Sequence, residues 1–239
     1  MNIVIPTWGR PESQPAYDAF EAAGYEPILA VDKKTDAGGR RHVILRHKFL
    51  YQVRQKILDK FPGKVLSPDD DLRFFRRTKD NKFVKATNAD ICKMVGKLDK
   101  ALDTYAHASI PPRFMAQVRN VPFEYNQKVA GFACHNSELF PDPHPRYRKV
   151  LTAEDYDFCL QLLTQGYESI ILTEWVYADA GQYREGGCER YRTVEMERQV
   201  CEQMVDKWPE ICSYSQDKKG RYRLRVQWKK AVKIGKGVN

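Results

Sequence analysis

Short apolar runs alternate with helical periodicity through the first half of the chain. Residues 2–6 are apolar and end at Pro6-Thr7, residues 13–23 carry helix formers, and Gly24 stops them. A second apolar run, 27–31, ends in Asp32 and meets a Gly-rich turn at 36–39. Residues 43–61 space Val43, Leu45, Phe49, Leu50, Val53, Ile57 and Leu58 near helical intervals, which predicts one long helix. After Phe61-Pro62-Gly63 a third run enters Asp69-Asp70-Asp71. Strand-helix-strand-helix-strand with short turns predicts a parallel sheet with crossover helices. Ligands of such sheets gather at the carboxyl ends of the strands. Thr7, Asp32 and the Asp triplet all fall there.

The second half is less regular. Residues 88–104 predict a helix with Asn88 as N-cap, 106–127 are polar, aromatic and Pro-rich, and 128–134 read as a strand. Three prolines in 141–145 exclude regular structure. Thr152 is the expected N-cap of a helix that runs to Gln165 and stops at Gly166. A strand follows at 168–172 and a helix at 193–207. From Arg221 to Trp228 the residues alternate strictly, with Tyr222, Leu224, Val226 and Trp228 on one face and Arg221, Arg223, Arg225 and Gln227 on the other. Lys219-Gly220 supplies a hairpin turn before that strand. The expectation is one α/β domain with a C-terminal extension packed on it.

Charge changes this picture more than composition does. The 239 residues carry +9, but 217–239 hold nine Lys/Arg against one Asp, leaving 31 basic and 30 acidic residues in the preceding 216. A nearly neutral body with a basic tail points to a polyanionic partner, nucleic acid before anionic membrane, with a merely solubilising tail as the alternative. No apolar run approaches the roughly 20 residues that span a bilayer. The N-terminus reads as a first strand rather than a signal segment, so the expected compartment is the cytoplasm. Cys92, Cys134, Cys159, Cys188, Cys201 and Cys212 are scattered without zinc-type spacing, which argues against a zinc site and fits reduced thiols. Cys159 lies in an apolar helical pattern and reads as a small core residue.

Three adjacent carboxylates repel one another and cannot be buried unpaired without a large desolvation cost. A divalent cation resolves that conflict, and oxygen ligands suit Mg²⁺ or Mn²⁺, which in turn suit a diphosphate. Ser67-Pro68-Asp69-Asp70-Asp71 is also good turn and N-cap chemistry, so the triplet alone leaves both readings open.

Four features occur in order: Ile3-Val4-Ile5-Pro6-Thr7 with Arg10, Val31-Asp32, the Asp triplet, and Glu154-Asp155-Tyr156-Asp157-Phe158-Cys159-Leu160 leading to Gly166-Tyr167. Across residues 2–175 this order resembles the GT-A glycosyltransferases, especially the family-2-like group. There, a first strand ends in Pro-Thr-x-Arg or similar, Asp-x-Asp holds a metal-bound nucleotide sugar, and a Glu-Asp pair opens a later helix. The resemblance implies a Rossmann-like GT-A domain over 1–192, with a mixed, mainly parallel sheet flanked by helices, and a helical and basic β extension over 193–239. It implies Mn²⁺ or Mg²⁺ and a nucleotide-sugar donor, UDP-glucose or similar. By the same resemblance Asp69 and Asp71 hold the metal, and Asp179 is the only ligand-type residue near the place of a third ligand. Asp70 turns toward ribose or a structural partner, Asp32 faces base or ribose, and Thr7 and Arg10 line the nucleotide pocket. Arg54 is a further candidate for that pocket, with a solvated helix arginine as its alternative. In inverting members the Glu-Asp pair supplies a general base, which implies Asp155 in that role with Glu154 as its neighbour. Thr152 and Asp155 also fit a capping box, and the two roles are compatible. Asp157 then supports the helix N-terminus electrostatically. The Gln-x-x-Arg-Trp signature of processive enzymes is absent, which disfavours polysaccharide synthesis.

Gly186-Gly187-Cys188 with its following arginines, the small size and the basic tail are similar to the phage TET-associated glycosyltransferases. Those add a sugar to 5-hydroxymethylcytosine already made in DNA, which implies DNA carrying a hydroxymethylated pyrimidine as acceptor and the host cytoplasm as compartment. Sequence-blind contact with phosphates needs several Lys/Arg, and interleaved aromatics suit base stacking. Arg190, Arg192, Arg221, Arg223, Arg225, Lys229 and Lys230 are the candidates. Their alternative is the solvent side of an edge strand whose apolar side is core. A base modified within a duplex must also be extruded. His107, His135 and His144 lie near acceptor loops, though singly each reads as a core or surface histidine. The competing functions are the same chemistry on a glycan, protein or small molecule, and a non-catalytic nucleic-acid-binding protein. A nucleotidyltransferase is disfavoured, because only one glycine follows the first strand before Arg10.

Overall fold

Side chains of the apolar runs divide between the two faces of one sheet, and that division sets the layers. The computed structural model describes residues 1–116, 121–179 and 192–237. Its elements are β1 (Asn2–Pro6), α1 (Pro15–Ala22), β2 (Ile28–Val31), β3 (His42–Ile44), α2 (Leu50–Lys60), β4 (Lys64–Pro68), β5 (Arg73–Arg77), β6 (Phe83–Lys85), α3 (Asn88–Ala101), β7 (His107–Ser109), α4 (Arg113–Ala116), β8 (Phe123–Tyr125), β9 (Phe132–Asn136), α5 (Glu154–Leu163), β10 (Ser169–Leu172), β11 (Trp175–Ala178), α6 (Val194–Lys207), β12 (Cys212–Gln216), β13 (Tyr222–Val226) and α7 (Trp228–Gly235).

Eight strands pair in the order β3-β2-β1-β4-β9-β7-β10-β8. β3, β2, β1 and β4 run parallel, as do β7 and β10, while β9 and β8 run the other way. This mixed, mostly parallel sheet flanked by helices is compatible with a Rossmann-like fold. Ile3, Ile5, Leu29, Val31, Leu66, Phe132 and Cys134 point to one face, where α1 and α3 cover them. Their neighbours Val4, Ala30 and Val65 point to the other, against Val53 and Ile57 of α2. Ala133 and Ile171 meet Cys159 of α5 on that second face. With both faces buried, a one-residue slip would exchange them, so the register is firmly set.

The C-terminal elements pack on α5. Leu160 and Leu163 share a cluster with Val200 and Met204 of α6, Ile211 and Ala231, and Leu224 and Trp228 lean on it. At the far end α7 approaches so closely that a Cβ on Gly235 would stand 2.0 Å from the Leu163 carbonyl oxygen. Only glycine fits there.

Several expectations need correcting. Residues 43–61 are not one helix: β-branched Val43 and Ile44 pair with Ala30 and Val31 as an edge strand. The helix starts later, where Gln52 Oε1 accepts the Lys48 and Phe49 N–H groups at 2.8 and 3.3 Å. The cap of α3 is Thr87, in a reciprocal box with Asp90, rather than Asn88. The cap of α5 is Ala153, which makes no side-chain cap bond, and Thr152 sits outside the helix at φ +60°. Strand β13 stops at Val226, and Trp228 opens a helix and stacks on Tyr156 with centroids 5.8 Å apart. The three-stranded sheet β11-β5-β6 and the short strands β7 and β8 have no counterpart in the sequence reading. Among the described residues, no helix is long and apolar enough to cross a membrane.

Candidate active site

Because β1 and β4 are parallel neighbours, their carboxyl ends deliver Thr7 and Asp69 to the same edge of the sheet. A cavity of about 490 Å³ opens there. The N-terminal loop supplies Thr7, Trp8 and Arg10, α2 supplies Arg54, and the end of β4 supplies Asp69, Asp70 and Asp71. The start of α5 adds Glu154 and Asp155, and Asp179 stands just past β11. Arg192, Glu197, Tyr222 and Arg223 close the side formed by the C-terminal elements. Residues 150 positions apart in sequence therefore share one space.

Asp70 is the knot of this edge. Its carboxylate accepts the Thr7 hydroxyl at 2.5 Å and Arg10 Nη1 at 3.0 Å, and its carbonyl accepts the Ala16 N–H at the start of α1. Gln14 completes the knot by donating to Thr7 Oγ1 at 2.8 Å and to the Arg10 carbonyl at 2.6 Å. Both Asp70 oxygens are thus committed inside the protein, which is the structural-partner alternative for this residue. Burial pushes its carboxyl up to about 6, against the opposing pull of Thr7 and Arg10.

Asp69 and Asp71 differ from Asp70 in keeping oxygens open. Asp69 Oδ1 accepts Arg54 Nη2 at 2.8 Å and Asp71 Oδ2 accepts Arg10 Nη1 at 3.1 Å. The second oxygen of each has no protein donor among the described residues. Burial raises Asp69 to about 6 while Arg54 pulls the other way. The main-chain N–H of Asp69 bonds to the Gly131 carbonyl at 2.7 Å. Gly131 lies at φ +68°, and a Cβ there would come within 3.0 Å of the Tyr177 hydroxyl.

Arg54 is not a solvated helix arginine. Its side chain is 4% exposed, bonded to Asp69 and 3.7 Å from Glu154. Burial disfavours its charge, and the two carboxylates more than offset that. Glu154, equally buried, is pushed up to about 7 by burial despite Arg54. Arg54 therefore ties the strand carrying Asp69 to the helix carrying Glu154 and Asp155. Asp155 itself faces the cavity, its Oδ1 accepting the Tyr156 N–H at 2.9 Å. With Ala153 as the cap, the capping-box alternative for Asp155 falls away. Lys128, unremarked in the sequence, donates to the Tyr156 hydroxyl at 2.9 Å and lies 4.1 Å over that ring. Burial opposes its charge, but Asp155 and Tyr156 hold it up.

Asp32 is not part of the cavity lining. Its Oδ1 accepts the His47 N–H at 2.9 Å, and His47, edge-on to Trp8 at 6.2 Å, reaches the cavity in its place. Asp179 lines the cavity with Asp69 and Asp71, yet among the described residues no three His, Cys, Asp or Glu side chains close into a metal cage. Asp157 is fully buried, accepting from Trp208 at 2.9 Å and Gln161 at 3.0 Å. Of the basic candidates, Arg192 and Arg223 line the cavity, and Arg190 lies outside the described residues. Arg221 is bound by Glu197, Arg223 by Asp217 at 3.0 Å, and Lys230 is 3.6 Å from Glu210. Arg225 and Lys229 are exposed, with no acidic partner among the described residues. His107 and His135 are core residues, stacked at 4.7 Å, and burial lowers His107 to about 3. His144 is exposed beside Phe140.

The lining holds seven carboxylates (Asp69, Asp70, Asp71, Glu154, Asp155, Asp179, Glu197) against five Lys/Arg (Arg10, Arg54, Lys128, Arg192, Arg223). The formal excess in the cavity is acidic in a chain of net charge +9.

No family model matches the chain. It is 23% identical over 233 residues to the beta-glucosyl-HMC-alpha-glucosyl-transferase of Enterobacteria phage T6, covering 88% of this chain and 82% of that protein. This likeness supports a glycosyltransferase. A solved structure described as a hypothetical transferase from Thermus thermophilus is 16% identical and covers 58% of this chain and 67% of its own, at a TM-score of 0.31.

Proposed function

We propose that this chain is a metal-dependent GT-A glycosyltransferase that moves a sugar from a nucleotide donor to a hydroxymethylated pyrimidine in DNA. The observation that carries the reading is the meeting of Asp69, Asp71 and Asp155 in one cavity. Mg²⁺ commonly takes one or two carboxylates and fills its remaining positions with substrate phosphates and water. Asp69 and Asp71, each with one oxygen left open, fit that pattern without a third protein ligand. When bound, the cation neutralises the departing diphosphate. Trp8 and His47 form the side of the cavity suited to the donor's base, with Asp32 holding the His47 loop.

Asp155 is the general base in this reading, because Glu154 is buried and paired with Arg54. The Tyr156 N–H holds one Asp155 oxygen, leaving the other to take the proton. As the acceptor oxygen bonds to the anomeric carbon, the bond to the diphosphate breaks and its electron pair leaves with the diphosphate. Such a displacement inverts the anomeric centre, and the anomeric proton coupling of the product tests that. Arg225 and Lys229 on the outer face, with Arg192 and Arg223 at the cavity, suit a DNA acceptor. The phage relative's name specifies a beta-glucosylated HMC, so a sugar hydroxyl already on the base is the second acceptor to examine.

The test is thermal stabilisation and sugar transfer with Mn²⁺ and a panel of UDP- and GDP-sugars. One donor should stabilise the protein only with the cation present, and Asp69→Ala or Asp71→Ala should abolish this. No stabilisation by any donor would favour a non-catalytic nucleic-acid-binding protein.

A further inference from the structure

Phe114 is 73% exposed, the most exposed large apolar side chain among the described residues, and it stands at the lip of the cavity. Met115 beside it is 38% exposed and also borders the cavity. Their platform is well fixed. The Pro111 carbonyl accepts the Tyr177 N–H at 3.1 Å, and Pro112 bridges to Tyr177. Ala116 is buried, and its carbonyl accepts Arg77 Nη2 at 2.9 Å. Arg113 lies 4.7 Å over the Phe75 ring. Two apolar side chains thus project into solvent from a short segment whose remaining groups are anchored.

Side chains alternate along β5, so Arg73 shares a face with Phe75 and Arg77, the two residues that hold α4. Arg73 and Arg113 have no carboxylate partner among the described residues. Tyr222 and Arg223 border the same cavity. An apolar tip next to Arg113, with Arg73 on the face of β5 that holds α4, matches a duplex whose phosphates flank an opened base step. Phe and Met are among the side chains that enter such steps, and a base treated in a duplex must leave the stack.

We infer that Phe114 is a wedge that enters the base stack of duplex DNA and fills the gap left by the nucleotide turned into the cavity, while Arg73 and Arg113 meet the flanking phosphates. This rests on the DNA-acceptor reading above.

The test uses the full-length protein, a duplex with one hydroxymethylcytosine next to 2-aminopurine, and the same modified strand alone. Wild-type protein should raise 2-aminopurine fluorescence in the duplex, and Phe114→Ala should not. Phe114→Ala should also lower the duplex-to-single-strand ratio of kcat/KM by at least about tenfold, with Phe114→Trp restoring it. An unchanged fluorescence response, or equal losses on both substrates, would overturn the wedge while leaving transfer intact. A Phe114-dependent fluorescence rise without sugar transfer would uphold the wedge and refute the transferase reading. Neither response from wild-type protein would refute both.

Discussion

Arg54 is a buried cation whose two carboxylates arrive from different elements, Asp69 from the end of β4 and Glu154 from the start of α5. Replacing it with alanine leaves both acids without a counter-charge, so Arg54→Ala should cost about 3–5 kcal/mol in urea unfolding. Its burial was not legible from the chain, because the partners lie 15 and 100 positions away and no local pattern announces them. The resemblance already set Asp70 apart from Asp69 and Asp71, but what engages Asp70 was not legible. Only the fold shows Asp70 consumed by Thr7 and Arg10 while Asp69 and Asp71 keep oxygens open. Asp155→Asn should keep metal-dependent donor binding and lower transfer by about 10²–10⁴-fold, read by binding and single-turnover rates. Glu154 gives a pH signature. Its folded carboxyl titrates at about 7, above the ordinary range near 4.3. Between those values the folded state keeps a proton that the unfolded chain has released, so stability falls as pH rises through the window. Urea unfolding without added cation should show this group's contribution larger at pH 5 than at pH 7.5, and Glu154→Gln should shrink that difference.

Among the elements, β1, β2 and β4 could be read directly, since each is an apolar run closed by a turn signal and buried on both faces. Three-residue strands such as β3, β7 and β8 carry too little pattern to separate from a helix or a loop. Strand β5 escapes for another reason: Arg76 pairs with Asp90 and Arg77 donates to the Thr173 and Ala116 carbonyls, none of them local. Helix α7 was hidden because the alternation from Arg221 draws Trp228 into the preceding strand, although Trp228, Ala231 and Val232 stand at the spacing of one helix face. Its docking makes a sharp test. Gly235→Ala places a methyl on the Leu163 carbonyl and should cost about 1–3 kcal/mol. The loss should appear first as faster hydrogen exchange in α7, ahead of the central sheet.

At the scale of the whole molecule, the basic tail is not a detachable arm. Strand β13 and helix α7 complete the cluster built on α5 and α6, so deleting 217–239 would expose that core as well as remove charge. Charge reversal is the cleaner probe. Arg225→Glu with Lys229→Glu should weaken DNA binding and reduce the slope of log affinity against log salt by about two, leaving the melting temperature near that of the wild type. The C-terminal elements also close one wall of the cavity, which joins the carboxylates proposed for catalysis to the surface proposed to meet DNA. The central claim is sugar transfer to a hydroxyl carried by DNA. Mass spectrometry of nucleosides should decide it, after hydroxymethylated DNA is treated with the protein, Mn²⁺ and mixed nucleotide sugars. The expected result is hydroxymethylcytidine heavier by one sugar, dependent on a single donor and lost with Asp155→Asn. Modified DNA returned without added mass, under every donor and cation, would contradict it.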